Sequence, residues 1–371
     1  MAEKIISSNQ AMRLAIAEAK KGHGWVSPNP VVGCVILSRD GYLVSVGYHK
    51  KLGGPHAEVE ALRAVKDPAL LEGAHVFVTL EPCSHYGRTP PCAEALSKLP
   101  LSEVTFGLLD PNPKVSGRGA ERVRSAGIKC TQFTGDKEIE RELQDLAEIF
   151  LYNQRQQKTF VSLKVATSLD GRMTMKSGES KWITGEVARS FSHHLRAQYD
   201  AVLIGKRTFL EDDPSLNIRL PGFEGYQNTV VIIDPRGECS PRLKSSKLAE
   251  TRPLEKIWIA TYEDVPAGPH VLHVRKNASG KMDLSHLLEL LWQKDVKSVF
   301  VEGGAHTFAA FLEKQLVQRL HLFMAPTLIG GSHGVSWTEH FGSDQFSERR
   351  MTSDLTPVHL GRDLYFALKF I

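Results

Sequence analysis

The sequence predicts two successive α/β domains. The chain has 371 residues, more than one ordinary hydrophobic core organises, so two domains of roughly 150 to 220 residues are expected. Strand patterns alternate with helix patterns in both halves. A polar stretch without an apolar period, residues 153–158, separates the halves. We therefore predict a first domain over residues 1–155 and a second over residues 156–371.

Composition and charge exclude several classes of protein. Hydrophobic residues make up 42% of the chain and charged residues 24%, values typical of a globular protein. The net charge of +4 is weak, and no basic run is long enough for a nucleic-acid tail. The first ten residues lack the apolar core of a signal peptide, and no apolar run reaches the roughly 18 residues of a membrane span. Five scattered cysteines argue against a disulfide framework, so we expect a cytoplasmic protein without nucleic-acid or membrane partners.

The first half alternates short apolar strands with amphipathic helices. Asn29 lies between two prolines that fix the backbone around it, so its amide is held in place for a substrate, although a simple turn explains the motif equally well. Lys51 and the glycines after it can contact a phosphate, although an exposed lysine is more often only solvated. An Asp40-Gly41 turn predicts a hairpin. The expected elements are helix 9–21, strands 31–37 and 43–49, helix 59–65, strand 74–80, helix 93–99, strand 128–133 and helix 137–153.

Three side chains in the stretch 53–92 predict a catalytic zinc site. His56, Cys83 and Cys92 offer one imidazole nitrogen and two thiolate sulfurs, a ligand set that suits zinc. His56 and Cys92 each follow a proline and begin a helical pattern, and the partial positive charge of a helix amino terminus favours thiolate. Three protein ligands leave a fourth position open, as in catalytic rather than structural zinc sites.

Glu58 follows His56 by two residues and is the predicted general acid and base. It can reach a zinc-bound water without binding the metal, and can carry its proton to a leaving amine. His-x-Glu followed by Pro-Cys and a second cysteine is the established signature of zinc-dependent nucleobase deaminases. The competing explanation is a surface histidine and two small buried cysteines. That explanation requires three motifs to coincide by chance.

The first half resembles the deaminase half of a known bifunctional family. The segments SPNPVVGCVI, HAEVEALR, TLEPCSHYGRTPPC and DPNPKVSGRG are similar to the bacterial riboflavin-biosynthesis deaminase and reductase, over most of residues 10–130. The eight residues between Cys83 and Cys92 are the most discriminating feature. The resemblance implies a cytidine-deaminase-like α/β/α domain. Within those eight residues, His85 and Arg88 are candidates for substrate contact, and His85 ranks below His56 as a ligand because it lies only two residues from Cys83.

The residues of the second half alone predict an α/β domain with a largely parallel sheet. Gly303 and Gly304, between a strand and a helix, can hold a phosphate at the helix amino terminus. No Gly-x-Gly-x-x-Gly follows a strand, so a dinucleotide would not be held as in a Rossmann fold. A structural or regulatory domain explains these features equally well. The expected elements are strand 160–166, a turn at 168–171, helix 186–198 capped by Thr184, strand 201–205, a helix opening at Arg207, strand 296–302 and helix 305–316.

The same family accounts for the second half. LKVATSLDGRM, SGESKWITG, LRAQYDAVLIG, TFLEDDPSLNIR and VEGGAHTF are similar to its reductase half over residues 160–330. This implies a dihydrofolate-reductase-like α/β domain that binds NADPH. The residues carried over for NADPH are Ala166, Trp182, Thr208, Asp212, Gly304, Ala305, His306 and Thr307. Those carried over for the substrate are Ser180, Arg196, Leu216, Arg219 and Glu302. Both arginines also suit a phosphate, which a guanidinium grips with two donors, although without the resemblance a surface salt bridge is the simpler reading of each.

The resemblance implies two consecutive reactions on small phosphoribosyl pyrimidines. The first is zinc-dependent hydrolytic deamination of 2,5-diamino-6-(5-phosphoribosylamino)pyrimidin-4(3H)-one. The second is NADPH-dependent reduction of the ribosyl chain of 5-amino-6-(5-phosphoribosylamino)uracil, for which Asp212 and Lys164 are the candidate proton donors. We also expect a homo-oligomer. Two alternatives stay open at this point: a nucleic-acid or nucleoside deaminase with an unrelated second domain, and a deaminase whose second domain binds a ligand or partner without reducing it.

Overall fold

The structure, a computed structural model, describes residues 5–84, 86, 90–111, 116–175, 177, 181–330, 334–353 and 355–371. The chain forms two compact units, Met1–Gln157 and Lys158–Ile371. The predicted boundary after residue 155 lies in the last helix of the first unit, Glu148–Gln156. Across the described residues, no helix combines the length and the apolar character that a membrane crossing requires.

The first unit is a sheet covered by helices on both faces. Its strands are β1 Gly33–Leu37, β2 Leu43–Tyr48, β3 His75–Leu80, β4 Glu103–Leu108 and β5 Lys129–Gln132. Its helices are α1 Ser8–Lys20, α2 Ala57–Arg63, α3 Cys92–Ser97, α4 Arg118–Ser125, α5 Lys137–Leu146 and α6 Glu148–Gln156.

The strand order is β2-β1-β3-β4-β5, with β1 antiparallel to both its neighbours and β3, β4 and β5 parallel. Apolar residues of α1 and α5 pack on one face of the sheet, and those of α2, α3 and α4 pack on the other. This is the α/β/α arrangement expected from the sequence. Because β3 and β4 are parallel, the segments that follow them meet at one edge.

One helix predicted over residues 137–153 is in fact two, α5 and α6, which meet at Ala147. Ile139, Leu143, Ala147 and Leu151 all pack into the same apolar cluster. Residues spaced by four drift about 40° around an ideal helix at each step. A straight helix would turn Leu151 away from the cluster. The break at Ala147 brings Leu151 back to it.

The second unit is built on a sheet of nine described strands. The strands are β6 Phe160–Ser168, β7 Ala201–Gly205, β8 Thr229–Ile233, β9 Ile257–Thr261, β10 Val271–His273, β11 Ser298–Val301, β12 Arg319–Ala325, β13 Val358–Leu360 and β14 Asp363–Lys369. The helices are α7 Glu186–Arg196, α8 Lys206–Asp212, α9 Lys247–Thr251, α10 Leu284–Gln293 and α11 Ala305–Glu313.

The order β10-β9-β8-β7-β11-β6-β12-β14-β13 is parallel from β10 to β12, and β14 and β13 are antiparallel. The largely parallel sheet agrees with the prediction. Helices α10 and α11 pack against one face, while α8 and α9 pack against β7, β8 and β9 from the other.

The predicted cap of α7 by Thr184 is wrong. The capping residue is Gly185, which has no side chain to accept a hydrogen bond. Its own amide donates instead to Asp363 Oδ2 at 2.6 Å, from the first residue of β14. A carboxylate 178 residues away thus anchors the start of the helix.

Candidate functional site

The three predicted zinc ligands come together in the first unit. His56 Nδ1 lies 3.5 Å from Cys83 Sγ and 3.3 Å from Cys92 Sγ, and the three atoms lie within 4.8 Å of one another. A tetrahedral zinc with bonds of about 2.3 Å to sulfur and about 2.0 Å to nitrogen holds these atoms about 3.6 Å apart. The donor set and its spacing therefore fit a zinc ion.

Local backbone structure explains how the ligands converge. His56 is the residue that caps α2, Cys92 is the first residue of α3, and Cys83 follows β3 by three residues. The amide of Cys92 donates to Cys83 Sγ at 3.2 Å. Hydrogen bonding from Cys92, and to a lesser extent from His56, lowers the pKa of Cys83. The site therefore favours the thiolate of Cys83, whereas the hydrogen bond with Cys83, and then burial, raise the pKa of Cys92. A bound metal cation would favour the second thiolate as well.

Glu58 lies on the first turn of α2 and is 4% exposed. Burial, and then the charge on Cys83, raise the pKa of Glu58 to about 7. A carboxyl group with a pKa near neutrality can both take up and release a proton, as the predicted acid and base must. A cation bound at the cysteines would lower the pKa of Glu58 again and so favour its carboxylate form.

His49 is a buried residue that the sequence did not single out. Its Nδ1 lies 2.9 Å from the carbonyl oxygen of Pro55, directly before the ligand His56, and its Nε2 lies 3.3 Å from Asn29 Nδ2. Burial lowers the pKa of His49, so the ring is neutral, donates from Nδ1 and accepts from Asn29. The hydrogen bond to His49 thus gives a physical reason for the prediction that the Asn29 amide is held in place. Lys51 is exposed at the turn before Gly54.

Glu81 is a second residue that sequence reasoning missed. Its carboxylate is buried and accepts from the backbone amides of Gly117, Gly119 and Ala120 at 3.0 to 3.1 Å. Two of these amides belong to the first turn of α4, where a carboxylate is favourable. Glu81 lies two residues before the predicted zinc ligand Cys83, so its hydrogen bonds connect the segment that carries Cys83 to α4. The sequence offered one signal for Glu81, which is an acidic residue placed between an apolar strand and Pro-Cys.

Arg196 and Glu302 form the centre of a charged site in the second unit. Arg196 ends α7 and Glu302 follows β11. The guanidinium donates from Nε and Nη2 to the two carboxylate oxygens at 2.6 and 3.0 Å, and Nη1 donates to the Asn217 carbonyl at 2.6 Å. The fork expected to grip a phosphate is therefore occupied by Glu302. Despite the opposing effect of burial, Arg196 and Lys164 lower the pKa of Glu302.

Lys164, His193 and Arg219 surround this ion pair. Burial, reinforced by the Arg196 charge, lowers the pKa of Lys164. Burial and the charges of Arg196 and Arg219 lower the pKa of His193 to about 4, so its ring is neutral at physiological pH. Arg219 is exposed, and its Nε lies 3.4 Å from His193 Nε2. Arg219 is thus the arginine that is accessible to a phosphate.

The predicted NADPH residues at 304–307 form the start of α11, with Gly304 as the capping residue. A Cβ on Gly303 would lie 2.7 Å from Thr307 Cβ, and one on Gly205 would lie 2.9 Å from Thr307 Oγ1. Glycine at both positions lets the ends of β7 and β11 approach this helix closely. His306 contacts His340, with 3.6 Å between ring centroids.

The remaining predicted cofactor residues occupy three other elements. Ala166 is half-buried in β6. Trp182 is 66% exposed, and Arg189 stacks over its ring at 4.6 Å. Thr208 and the exposed Asp212 lie on α8. Leu216 is buried on the loop that follows α8. Ser180, like His85 and Arg88, lies outside the described residues.

Two protein-family models match the chain. Residues 6–108 match the cytidine and deoxycytidylate deaminase zinc-binding region, and residues 159–360 match the RibD C-terminal domain. Each match falls within one of the two units. They confirm the predicted fold class of a deaminase domain followed by a reductase domain.

Similar proteins span nearly the full chain. The riboflavin biosynthesis protein RibD of Actinobacillus pleuropneumoniae is 39% identical, over 88% of this chain and 86% of that protein. RibD of Aquifex aeolicus is 37% identical, over 96% and 97%.

Among solved structures, Acinetobacter baumannii RibD (form 1) is similar with a TM-score of 0.81 and 36% identity, covering 97% of this chain and 98% of that one. The diaminohydroxyphosphoribosylaminopyrimidine deaminase/5-amino-6-(5-phosphoribosylamino)uracil reductase of Thermotoga maritima has a TM-score of 0.82 and 34% identity, with the same coverage.

Proposed function

The chain belongs to the RibD family of riboflavin biosynthesis proteins, and from this membership we propose which of its residues perform the two reactions. It is a bifunctional deaminase and reductase with zinc and NADPH as cofactors. We assign deamination of the phosphoribosyl diaminopyrimidine to His56, Cys83, Cys92 and Glu58. The observation that carries this assignment is the convergence of the three ligand atoms beside a buried carboxyl group.

In the first unit, His56, Cys83 and Cys92 would hold the zinc ion, which when bound acidifies a water molecule and so supplies the nucleophile. Glu58 accepts the proton released in the attack and returns it to the amino group that leaves as ammonia. The neutral His49 keeps the Asn29 amide fixed, so that the amide can orient the pyrimidine. Burial of Glu58 excludes bulk water from this proton transfer.

In the second unit, NADPH supplies the hydride for the ribosyl carbon. We assign the proton to Lys164, because it is half-buried beside Glu302 and Arg196, whereas Asp212 is exposed at the end of α8. Burial lowers the pKa of Lys164, which makes its ammonium group a better proton donor. We assign substrate contact to Leu216 and to the exposed Arg219, the latter for the phosphate.

The reductase match argues against the two alternatives. It extends over residues 159–360, and the similar RibD proteins cover both units, so an unrelated second domain is not supported. The proximity of Arg196 and Lys164 to Glu302 in one charged cluster argues against a second domain that only binds a ligand.

The decisive test of the assignment is Glu58→Gln. The variant should retain zinc and fold normally but release no ammonia, while reduction of supplied deaminated product, followed by loss of NADPH absorbance at 340 nm, continues at the wild-type rate. Glu60→Gln, on the same helix, is the matched control, since it removes ion pairs with the exposed Lys50 and Arg63 and should leave both activities within about twofold. Loss of both activities in Glu58→Gln would contradict the division between the units.

The expectations of a homo-oligomer, of a cytoplasmic location and of no nucleic-acid or membrane partner stay predictions. Analytical ultracentrifugation of the purified chain tests the first, and cell fractionation tests the second. Incubation with polynucleotide and with cytidine, neither of which should be deaminated, tests the choice of a small phosphoribosyl pyrimidine as substrate.

A further inference from the structure

We propose that Arg252 is a positioning residue for the reductase, which fixes the backbone of the substrate loop, defined as residues 213–219. The inference rests on the proposed function, because that loop carries the assigned substrate residues Leu216 and Arg219. Arg252 lies outside every motif that identified the family, and nothing in the sequence around it predicts a role.

Arg252 holds the first half of the loop from one side. Its Nη2 donates to the carbonyl oxygen of Ser215 at 2.7 Å, and Thr251 Oγ1 donates to the same oxygen at 3.2 Å. The amide of Lys247, at the start of α9, donates to Asp213 Oδ1 at 3.1 Å. Helix α9 and the residue after it therefore bind the loop at two points.

Arg196 holds the loop two residues after Ser215. Its Nη1 donates to the carbonyl oxygen of Asn217 at 2.6 Å. Leu216, between the two bonded carbonyls, has φ +48°. This left-handed conformation is unfavourable for a residue other than glycine and persists only where surrounding contacts enforce it. The two arginines, one on each side of Leu216, supply such contacts.

The side chain of Leu216 provides a third constraint. It is 8% exposed and packs into an apolar cluster that includes Phe209 of α8 and Leu248 of α9. The strained residue is therefore held by its side chain and by both flanking carbonyls. A backbone fixed before the ligand arrives loses less freedom on binding, which favours affinity.

The chemistry of Arg252 indicates that stability is not the reason for its presence. The residue is 4% exposed, and among the described residues its Nε and Nη1 have no hydrogen-bond partner. Burial and the nearby Arg196 charge lower the pKa of Arg252 to about 10. A buried cation with unpaired donors destabilises a fold, whereas an apolar side chain of similar volume would not. Such a cost at a site is typical of a residue retained for function.

The test compares Arg252→Met, Arg252→Lys and the control Lys256→Met in the full chain. Lys256 also donates to a backbone carbonyl, that of Gln227, but not to the substrate loop. Hydrogen exchange of the loop amides is measured by mass spectrometry without any ligand. Steady-state KM and kcat are then measured with the deaminated phosphoribosyl pyrimidine and with NADPH, and ammonia release reports on the first unit.

In Arg252→Met, we expect the loop amides to exchange hydrogen at least tenfold faster than in the wild-type protein. The KM of this variant for the pyrimidine should rise about tenfold. Its KM for NADPH, its ammonia release and its melting temperature should stay at wild-type values, or the melting temperature should rise. Arg252→Lys, which keeps a cationic donor group but loses the planar guanidinium, should be intermediate, and Lys256→Met should resemble wild type.

Wild-type exchange rates and an unchanged pyrimidine KM in Arg252→Met would overturn the proposal. So would a lower melting temperature with faster exchange throughout the second unit, since that is the signature of a purely structural residue. If the wild-type chain itself does not oxidise NADPH with the deaminated pyrimidine, the proposed function is wrong, and the exchange rates still decide whether Arg252 fixes the loop.

Discussion

Gly119→Ala should disrupt the metal centre without touching a metal ligand. Gly119 is in the first turn of α4, where its amide donates to Glu81. A Cβ at this position would lie 1.8 Å from the carbonyl oxygen of Pro82, whereas real Cβ contacts essentially never fall under 3.0 Å. Relief of the clash requires a displacement of at least 1.2 Å, the difference between these distances. The oxygen belongs to the peptide that joins Pro82 to Cys83.

The displacement falls on backbone atoms, which cannot rotate away as a flexible side chain can. Overpacking of this kind costs about 1 to 3 kcal/mol of stability. A misplacement of about 1 Å at a catalytic centre can cost about 100-fold in rate. We therefore expect Gly119→Ala to fold less stably, to bind zinc at least tenfold more weakly and to release ammonia about 100-fold more slowly.

The assay is a zinc competition titration with a chromogenic chelator, combined with ammonia release. Reduction of supplied deaminated product serves as the internal control, because it depends on the second unit and should be unchanged. Gly127→Ala is the matched variant: Gly127 follows the same helix, has φ +83° and has nothing within 4 Å of an added Cβ. It should lose about 1 kcal/mol of stability from backbone strain alone and keep its zinc. Wild-type zinc affinity in Gly119→Ala would refute the reasoning.

Two further predictions concern the second unit. Glu302→Gln leaves Arg196 and Lys164 without their carboxylate. Because the Arg196 and Glu302 side chains are only 11% and 12% exposed, the substitution should lower the free energy of unfolding by about 3 kcal/mol and abolish reduction. Ammonia release should be unchanged, as a check on the first unit. The pKa of His193 is lowered to about 4 from 6.5, so the unfolded chain takes up a proton at higher pH than the folded chain. Stability should therefore fall as pH decreases from 6.5 toward 4, and this fall should be smaller in His193→Gln when melting temperatures of the two proteins are compared across that range.

The elements that were predicted each have an apolar or periodic pattern of their own. Apolar runs indicated seven of the fourteen described strands, and the largely parallel order of the second sheet followed from their alternation with helices. No prediction was made for the other strands, β4, β8, β9, β10, β12, β13 and β14, or for helices α4, α9 and α10. The break at Ala147 could not be predicted, because the helical sequence pattern continues through it without a glycine or proline. Only the position of the apolar cluster on which they pack favours two helices over one.

The structure brings the predicted zinc ligands together, whereas the predictions were incomplete for side chains that contact other protein groups. His56, Cys83 and Cys92 lie together as their chemistry required. Arg196 was predicted to grip a phosphate, but its partner in the structure is the carboxylate of Glu302, 106 residues away. A guanidinium fork suits a carboxylate as well as a phosphate. The sequence alone offers no means of choosing between a partner in the chain and one in a ligand.

The residues that escaped prediction share one property: they act on backbone atoms. Glu81 binds the amides of α4, His49 binds the Pro55 carbonyl, and Arg252 binds the Ser215 carbonyl. Every residue except proline offers the same amide and carbonyl, so the residue type at the receiving position carries no signal. Ligand-contacting side chains, in contrast, must match the chemistry of the ligand and so form recognisable motifs. Disturbing these backbone contacts should therefore change the position and affinity of each site more than the identity of the reaction. The Gly119 variant, which disturbs the backbone that Glu81 binds, and the Arg252 variants measure this outcome.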